Sequence, residues 1–351
     1  MKEAFILSRQ GLFDWITALA AQFRVLGPLS NKKGQTVFAK IDDPKNLQLN
    51  YCSTMTSPRN FIYPSHETLL KINQSTGQFE TVLPGDENKI IIFAIHPCDM
   101  HAISVLDRTF LGEYIDVYYS KRRQETITIV LNCNKACDQG FCSSMGTGPF
   151  IQLKQGFDLV LTALPESFII EYGSQRGKEL LNKAANLQKA HSKDLAVKRK
   201  IEIIAKKSFT KRIETRGLVE LLMRNLDHPV YKNTADARCL GCTNCTMVCP
   251  TCYCYNLYDD TAVDLQVTKR NRRWDSCLDL NFAKVHDGNF RAVRAARLRQ
   301  FVTHKLATWI EQFDCFGCIG CGRCMTWCPT GIDLTDMAKE IQQDFKNGKA
   351  L

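Results

Sequence analysis

The stretch Cys239-Leu-Gly-Cys242-Thr-Asn-Cys245-Thr-Met-Val-Cys249-Pro250 has a near copy further along the chain, Cys318-Ile-Gly-Cys321-Gly-Arg-Cys324-Met-Thr-Trp-Cys328-Pro329. Both copies follow the spacing C-x2-C-x2-C-x3-C-P. Between them, apolar residues at helical spacing predict a helical insert over residues 289–313. Residues 231–351 are therefore predicted to form one cysteine-rich, largely helical domain with an internal repeat.

This spacing is typical of a pair of 4Fe–4S clusters, since the first three thiolates of each run hold one cluster and the fourth reaches across to the other. Glycines 241, 320 and 322 would relieve crowding where the backbone turns around a cluster. Zinc is the alternative, but it favours two separated cysteine pairs, a poor fit to these dense runs. The expected ligand sets are Cys239, Cys242 and Cys245 with Cys328, and Cys318, Cys321 and Cys324 with Cys249.

Four further cysteines lie near the repeat. Cys252 and Cys254 follow the first run, Cys277 ends Trp274-Asp-Ser-Cys277, and Cys315 precedes the second run. Each is either an additional ligand, a neighbour or reactive thiol beside a cluster, or a small side chain packed in the core. Packing is favoured for Cys315, and both interpretations stay open for the other three.

Residues 1–175 have the pattern of an α/β domain. Strands are predicted over residues 36–41, 90–95, 126–131 and 157–162, and helices over 11–23 and 101–110. Strand, helix and strand at this spacing predict a parallel sheet. Cys98 and Cys133 come directly after two of these strands, so we expect both at the carboxyl edge of the sheet, where open α/β sheets bind ligands.

A third cluster is predicted at that edge. Cys137 and Cys142 lie in the loop after Cys133, so four thiols, with Cys98, would be available to hold it. The looser spacing leaves unliganded structural thiols as the alternative.

The composition excludes several classes of protein. Of 351 residues, 44% are hydrophobic and 23% charged, which is typical of a globular chain, and no apolar run is long enough to cross a bilayer. Seventeen cysteines without a secretory signal predict a reducing cytoplasm, where such density indicates metal or redox chemistry.

The net charge of +10 is concentrated in a predicted helical connector, residues 176–230. Between Lys183 and Arg216, eleven basic residues stand against three acidic ones. Their favoured role is a solvated face, and a docking surface for an acidic partner is the alternative. Scarce aromatic residues argue against nucleic-acid binding. Nearer the runs, seven basic residues either balance cluster charge or are solvated: Lys269, Arg270, Arg272, Arg273, Arg291, Arg294 and Arg297.

The chain has no P-loop, no G-x-G-x-x-G after a strand and no G-x-S-x-G motif. Its motifs resemble the iron–sulfur beta subunits of cytoplasmic nickel–iron hydrogenases, or sulfhydrogenases, and are similar also to the A subunit of anaerobic sulfite reductase. Relatives often carry Cys-Phe-Cys where this chain has Gly140-Phe-Cys142, so either Cys137 replaces that ligand or the third site is altered. The resemblance rests on both cysteine runs, Pro250-Thr-Cys-Tyr-Cys254, Arg272-Arg-Trp-Asp-Ser-Cys277, His286-Asp-Gly-Asn-Phe-Arg291, Pro97-Cys-Asp-Met-His-Ala-Ile103 and Ser144-Met-Gly-Thr-Gly-Pro149.

The resemblance implies an electron-transfer subunit with no catalytic residue of its own. It would pass electrons between a flavin subunit that acts on NAD(P)H and a catalytic subunit, either a nickel–iron hydrogenase or a sulfite or sulfur reductase. Two alternatives stay open. One is a stand-alone reductase of the heterodisulfide type, and the other is a non-redox module in which clusters or zinc hold an interaction surface.

Overall fold

The computed structural model describes residues 3–85 and 89–348. Its strands form three sheets, of eight, four and two strands. In chain order the strands are β1 Ala4–Ser8, β2 Arg24–Ser30, β3 Thr36–Lys40, β4 His66–Asn73, β5 Phe79–Thr81, β6 Ile90–Ile95, β7 Ile127–Leu131, β8 Leu159–Ala163, β9 Ser167–Tyr172, β10 Gln188–Lys189, β11 Tyr255–Thr261, β12 Val267–Trp274, β13 Lys284–Val285 and β14 Gly288–Asn289.

The described residues also form twelve α-helices. In chain order they are α1 Arg9–Ala20, α2 Pro97–Phe110, α3 Val117–Glu125, α4 Gln175–Leu181, α5 Ser192–Lys207, α6 Leu218–Arg224, α7 Pro229–Ala237, α8 Asn244–Met247, α9 Arg294–Thr303, α10 Trp309–Phe313, α11 Arg323–Thr326 and α12 Leu334–Lys346. Short 3₁₀ helices occupy Pro44–Asn46 and Pro58–Phe61, and a π-helical turn, His304–Thr308, joins α9 to α10.

The eight-stranded sheet confirms α/β structure in the N-terminal region, but it is parallel only at its centre, because the pairs β1–β9, β8–β9 and β2–β3 are antiparallel. Its order is β10-β1-β9-β8-β7-β6-β2-β3, and β2, β6, β7 and β8 run parallel. Every residue of the run Ile-Ile-Ile-Phe-Ala-Ile in β6 is buried, because both faces of a parallel sheet are covered. The helix predicted from residue 101 begins earlier, since Pro97 suits the first helical turn. Cys98 therefore lies at the start of α2.

The four-stranded sheet departs from the helical expectation for residues 231–351. Its order is β11-β12-β4-β5, and β12 pairs with β4 in antiparallel register from Val267↔Asn73 to Arg273↔His66. A hairpin of the cysteine-rich region is thus hydrogen-bonded to a strand from the N-terminal region. The division at residues 175 and 230 stays a prediction, but one sheet spans both parts.

The helical insert is shorter and less regular than predicted. Residues 289–293 are not helical, and the π turn interrupts the remainder between α9 and α10. In the connector, α5 buries only Ala205 along its length, and Lys198 and Lys206 pair with Glu171 and Glu202. This supports the solvated-face interpretation. Across the described residues, no helix combines the length and the apolar character that a membrane span requires.

Candidate metal centres

The cysteines of the two runs gather into two groups, and each group contains one cysteine from the opposite run. Site 1 comprises Cys239, Cys242, Cys245 and Cys328, which line one cavity. Cys239 follows the end of α7 and is buried, whereas Cys242 is exposed. Burial raises the pKa of the Cys245 thiol, and the nearby sulfurs of Cys239, Cys328 and Cys242 raise it further. The structure therefore brings together the first predicted ligand set.

Hydrogen bonds orient the sulfur of Cys328 at this site. The backbone N–H of Ile332 donates to Cys328 Sγ over 3.3 Å, and the Thr330 hydroxyl lies 3.4 Å from the same sulfur. Partial burial raises the pKa of Cys328, but these donors outweigh it, so that the pKa is lowered. Donors to a sulfur stabilise its anionic form, which is the form that binds iron.

Site 2 comprises Cys318, Cys321 and Cys324 with Cys249. Burial raises the pKa of the Cys324 thiol, and Cys318, Cys249 and Cys321 all act on it as neighbouring negative groups. The N–H of Gly320 donates to Cys318 Sγ over 3.4 Å. Site 2 adjoins site 1, because Cys324 also lines the site 1 cavity and Cys249 also faces Cys245.

Site 3 is the N-terminal group, Cys98, Cys133, Cys137 and Cys142. These four side chains line one cavity, together with Cys321 of site 2 and His96. Burial raises the pKa of the Cys142 thiol to about 12, with Cys321 as the next cause, and burial lowers the pKa of His96 to about 4. Sites 1, 2 and 3 therefore form a continuous series through the molecule.

Cys52 is a residue of this region that sequence reasoning missed. It forms a disulfide with Cys137. Cys137 lines the site 3 cavity, whereas Cys52 is exposed and lies outside the cavity lining. Because a disulfide sulfur is not a thiolate, Cys137 is available as a ligand only after reduction. A single cysteine in a polar segment gave no sequence signal.

Two glycines of the second run allow the site 3 loop to approach. A Cβ added to Gly320, at φ +66°, would lie 2.7 Å from the backbone nitrogen of Cys142, and one at Gly322, at φ +78°, would lie 2.4 Å from the carbonyl oxygen of Gln139. Thr243 occupies the position in the first run that Gly322 occupies in the second, and Thr243 also has a positive φ, of 65°. The second run therefore needs glycine for space as well as for backbone conformation.

A buried ion pair also joins sites 2 and 3. Arg323, between Cys321 and Cys324, donates two hydrogen bonds of 2.8 and 2.7 Å to the carboxylate of Asp99, which follows Cys98 in α2. Both side chains are 1% exposed. The Arg323 guanidinium also donates to the carbonyl of Thr54, and the Ser57 hydroxyl donates to Asp99. This network fixes α2 against α11, and sequence reasoning did not identify it.

Three of the four additional cysteines lie in two close sulfur pairs, one of which includes Cys249 of site 2. Cys252 lies beside Cys249, and its thiol donates to the Cys249 sulfur and lowers the pKa of Cys249. Cys277 donates to Cys254 and lowers the pKa of Cys254 to about 7, while burial acts in the opposite direction. Cys315 packs against the apolar cluster around Trp309, in agreement with the packing interpretation.

Two of the seven basic residues expected near the clusters flank site 1. Arg294 donates to the carbonyl of Cys239 over 3.1 Å, and Arg297 lies 3.8 Å from a Cβ built on Gly241, so both flank site 1. Two others neutralise carboxylates instead. Arg270 pairs with exposed Asp259, and Arg272 is buried against Glu67 and Asp116.

The thiol groups fit polynuclear clusters. Within the described ranges, no three His, Cys, Asp or Glu side chains converge as they would on a single metal ion. The thiols of site 1 instead form the walls of a cavity with apolar side chains such as Leu278 and Leu298. Four cysteine thiolates are the usual ligands of a 4Fe–4S cluster, and the four sulfurs of site 1 fit that donor set.

Comparison with known proteins agrees with this geometry. Residues 238–332 match the family model described as a 4Fe–4S dicluster domain. The chain is also 32% identical over 324 residues to the sulfhydrogenase 2 subunit beta of Pyrococcus furiosus, covering 91% of this chain and 92% of that protein. The chain belongs to the sulfhydrogenase beta-subunit family.

As a member of the sulfhydrogenase beta-subunit family, the chain is an iron–sulfur protein of the oxidoreductase class. The expectation drawn from the sequence motifs is confirmed at this level. The match to the domain model spans all eight cysteines of sites 1 and 2. No solved structure gives a significant match.

Proposed function

We propose that this sulfhydrogenase beta-subunit relative relays electrons between a flavin subunit acting on NAD(P)H and a catalytic subunit, a hydrogenase or a sulfite or sulfur reductase. The observation that carries the proposal is the continuity of the three sites. Site 1 shares its cavity wall with Cys324 of site 2, and site 3 shares Cys321 with site 2. Bound clusters supply one-electron transfer. A reducing cytoplasm, which keeps thiols free, is the proposed location.

The residues supply the positions and the surroundings of this relay. We assign Cys239, Cys242, Cys245 and Cys328 to one cluster, and Cys318, Cys321, Cys324 and Cys249 to a second. Exposed Cys242 places site 1 at the surface, where a partner can approach, and the buried Arg323–Asp99 pair holds site 2 against site 3. Hydrogen bonds to sulfur and burial are the means by which a protein sets cluster potentials.

The proposal predicts dependence on a partner. The full chain, reconstituted with iron and sulfide, should give EPR signals of reduced clusters with dithionite and none with NADPH alone, because no nucleotide fingerprint is present. Adding a flavin-containing NADPH:ferredoxin oxidoreductase should restore reduction by NADPH. A chain without added flavin protein serves as the control.

Two results would contradict this. Oxidation of NADPH, or reduction of a disulfide substrate from methyl viologen, by the chain alone would favour a stand-alone reductase. Clusters that dithionite cannot reduce would favour a non-redox module.

Site 3 gives a separate prediction, because the two cysteines of the disulfide differ in their position. We propose Cys98, Cys133, Cys137 and Cys142 as ligands of a third cluster. After anaerobic reconstitution with reductant, Cys137→Ser should lose about four iron atoms per chain. Cys52→Ser should keep them, since Cys137 lines the cavity and Cys52 does not.

The two variants are matched, because each breaks the same disulfide. Iron analysis of the purified proteins checks the outcome. If both variants keep the full iron content, the thiols of site 3 have a structural role and hold no cluster. If Cys52→Ser loses iron and Cys137→Ser does not, Cys52 is the ligand.

A further inference from the structure

Lys305 is a buried lysine whose counter-charge is not a carboxylate. The residue is 3% exposed and lies in the π-helical turn between α9 and α10. Its ammonium donates to Thr251 Oγ1 over 2.9 Å. Among the described residues, no aspartate or glutamate forms an ion pair with it. A buried ammonium without a compensating anion is strongly unfavourable, so another negative group must face it.

The groups that face Lys305 are sulfur atoms of site 2 and its neighbour. The hydroxyl oxygen of Thr251, which accepts from Lys305, also lies 3.3 Å from Cys249 Sγ. Cys249, Cys252 and Cys318 act on the ammonium as neighbouring negative groups. Two of these, Cys249 and Cys318, belong to the ligand set assigned to site 2. Neutral thiols would not balance the charge, whereas thiolates bound to iron would. The compensation of Lys305 thus depends on the group that site 2 binds.

Thr251 fixes the position of this charge. Its hydroxyl has one proton, which it donates to the carbonyl of Gly317 over 2.6 Å. Its oxygen is left to accept from Lys305, and Gly317 directly precedes Cys318. The ammonium is therefore tethered to the backbone of the second run. π-Helical turns frequently occur at functional sites, and this one brings Lys305 within hydrogen-bonding distance of Thr251.

Two other buried cations, Arg59 and Arg323, lie beside site 2. Arg59 donates to the carbonyl of Cys252 and lies over the ring of Trp274. Arg323 is neutralised by Asp99, so the pair contributes little net field. At site 1, Arg294 is exposed, so water screens its charge, whereas Arg297 is buried and donates to the carbonyls of Arg291 and Ala292. Lys305 thus has no carboxylate partner among the described residues and lies in a low-dielectric environment, where electrostatic effects are strongest.

We infer that Lys305 is a fixed counter-charge of site 2, a positioning residue that raises the one-electron reduction potential there relative to site 1. The added electron increases the negative charge of site 2, and a nearby ammonium stabilises that reduced state. The inference rests on the proposed function, since it requires a cluster at site 2. It predicts that electrons entering from the surface at site 1 collect at site 2.

The test is a potentiometric EPR titration of the full reconstituted chain. In Lys305→Met, the ratio of reduced to oxidised site 2 at a fixed potential should fall at least tenfold, which is 59 mV for one electron. The site 1 signal should move less. Lys305→Arg should retain most of the wild-type potential. Lys71→Met, which removes an exposed positive charge from β4, should leave both signals unchanged.

Iron content separates the outcomes. An unchanged site 2 potential in a fully loaded Lys305→Met protein would overturn the inference while leaving the relay intact, whereas a wild-type chain that binds no clusters would overturn the relay itself. If Lys305→Met fails to bind iron, Thr251→Val provides the second measurement. Thr251→Val keeps the charge of Lys305 but removes the hydrogen bond that positions its ammonium. A site 2 potential equal to that of the wild-type chain would then count against the inference.

Discussion

Replacing Asp99 with asparagine is expected to destabilise the protein by about 3–5 kcal/mol, because it leaves Arg323 charged, buried and without its carboxylate. Both side chains are 1% exposed, and their two hydrogen bonds join α2 to α11. The midpoint of urea unfolding of the iron-loaded chain measures the loss. We also expect site 3 to lose iron, since Asp99 follows Cys98 directly.

An exposed pair of the same geometry provides the control. Arg270 and Asp259 also share two hydrogen bonds, each of 2.8 Å, but both side chains are more than 40% exposed. Asp259→Asn should change the midpoint little, because surface pairs contribute little. If Asp99→Asn and Asp259→Asn lowered the urea midpoint equally, burial of the ion pair would not be the cause of the loss of stability. Adding Arg323→Met to Asp99→Asn should restore much of the stability, because it removes the orphaned charge.

Replacing Cys249 with serine is expected to remove the cluster at site 2, although Cys249 belongs to the first run. About four iron atoms per chain should be lost. The remaining EPR spectrum should match that of Cys318→Ser. By the same logic, Cys328→Ser should match Cys239→Ser. The physical reason is the crossed arrangement, in which Cys249 faces Cys318 and Cys328 faces the first run.

Cys315→Ser is the control for the loss of a cysteine outside the ligand sets, since Cys315 packs against apolar side chains. It should keep full iron and both signals. If Cys249→Ser instead gave the spectrum of Cys239→Ser, each run would close on its own fourth cysteine and the crossed assignment would be wrong.

The sequence predicted those parts of the fold that depend on local pattern. The apolar run in β6 marked a buried strand, and the structure gives it the same bounds. Because Cys98 and Cys133 follow such strands, their meeting at one sheet edge could be anticipated. The eight cysteines of sites 1 and 2 were recognisable because their spacing is short and repeated.

Features that depend on distant partners gave no such signal. The strands β11 and β12, with sequences YNLYDDT and VTKRNRRW, carry mostly polar side chains and lack a strand-like apolar pattern. Arg323 and Asp99 are 224 residues apart, so neither sequence neighbourhood reveals their pairing. The insert was predicted as one helix because the π turn, with the sequence His-Lys-Leu-Ala-Thr, contains no glycine or proline that would interrupt the helical pattern. The sequence therefore gave no indication of the turn that places Lys305.

The pairing of β12 with β4 has a consequence for how the protein acquires its metal. Arg272 follows its ion-pair partner Glu67 by 205 residues. During synthesis the N-terminal half emerges first. At that stage the edge of β4 that pairs with β12 is still exposed, and the loop of Cys142 does not yet pack against Gly320. Iron delivered at that stage would meet only the thiols of site 3, in an incomplete cavity. Cluster insertion should therefore follow completion of the chain, and a stalled nascent chain should be a poor acceptor for the cell's iron–sulfur assembly machinery.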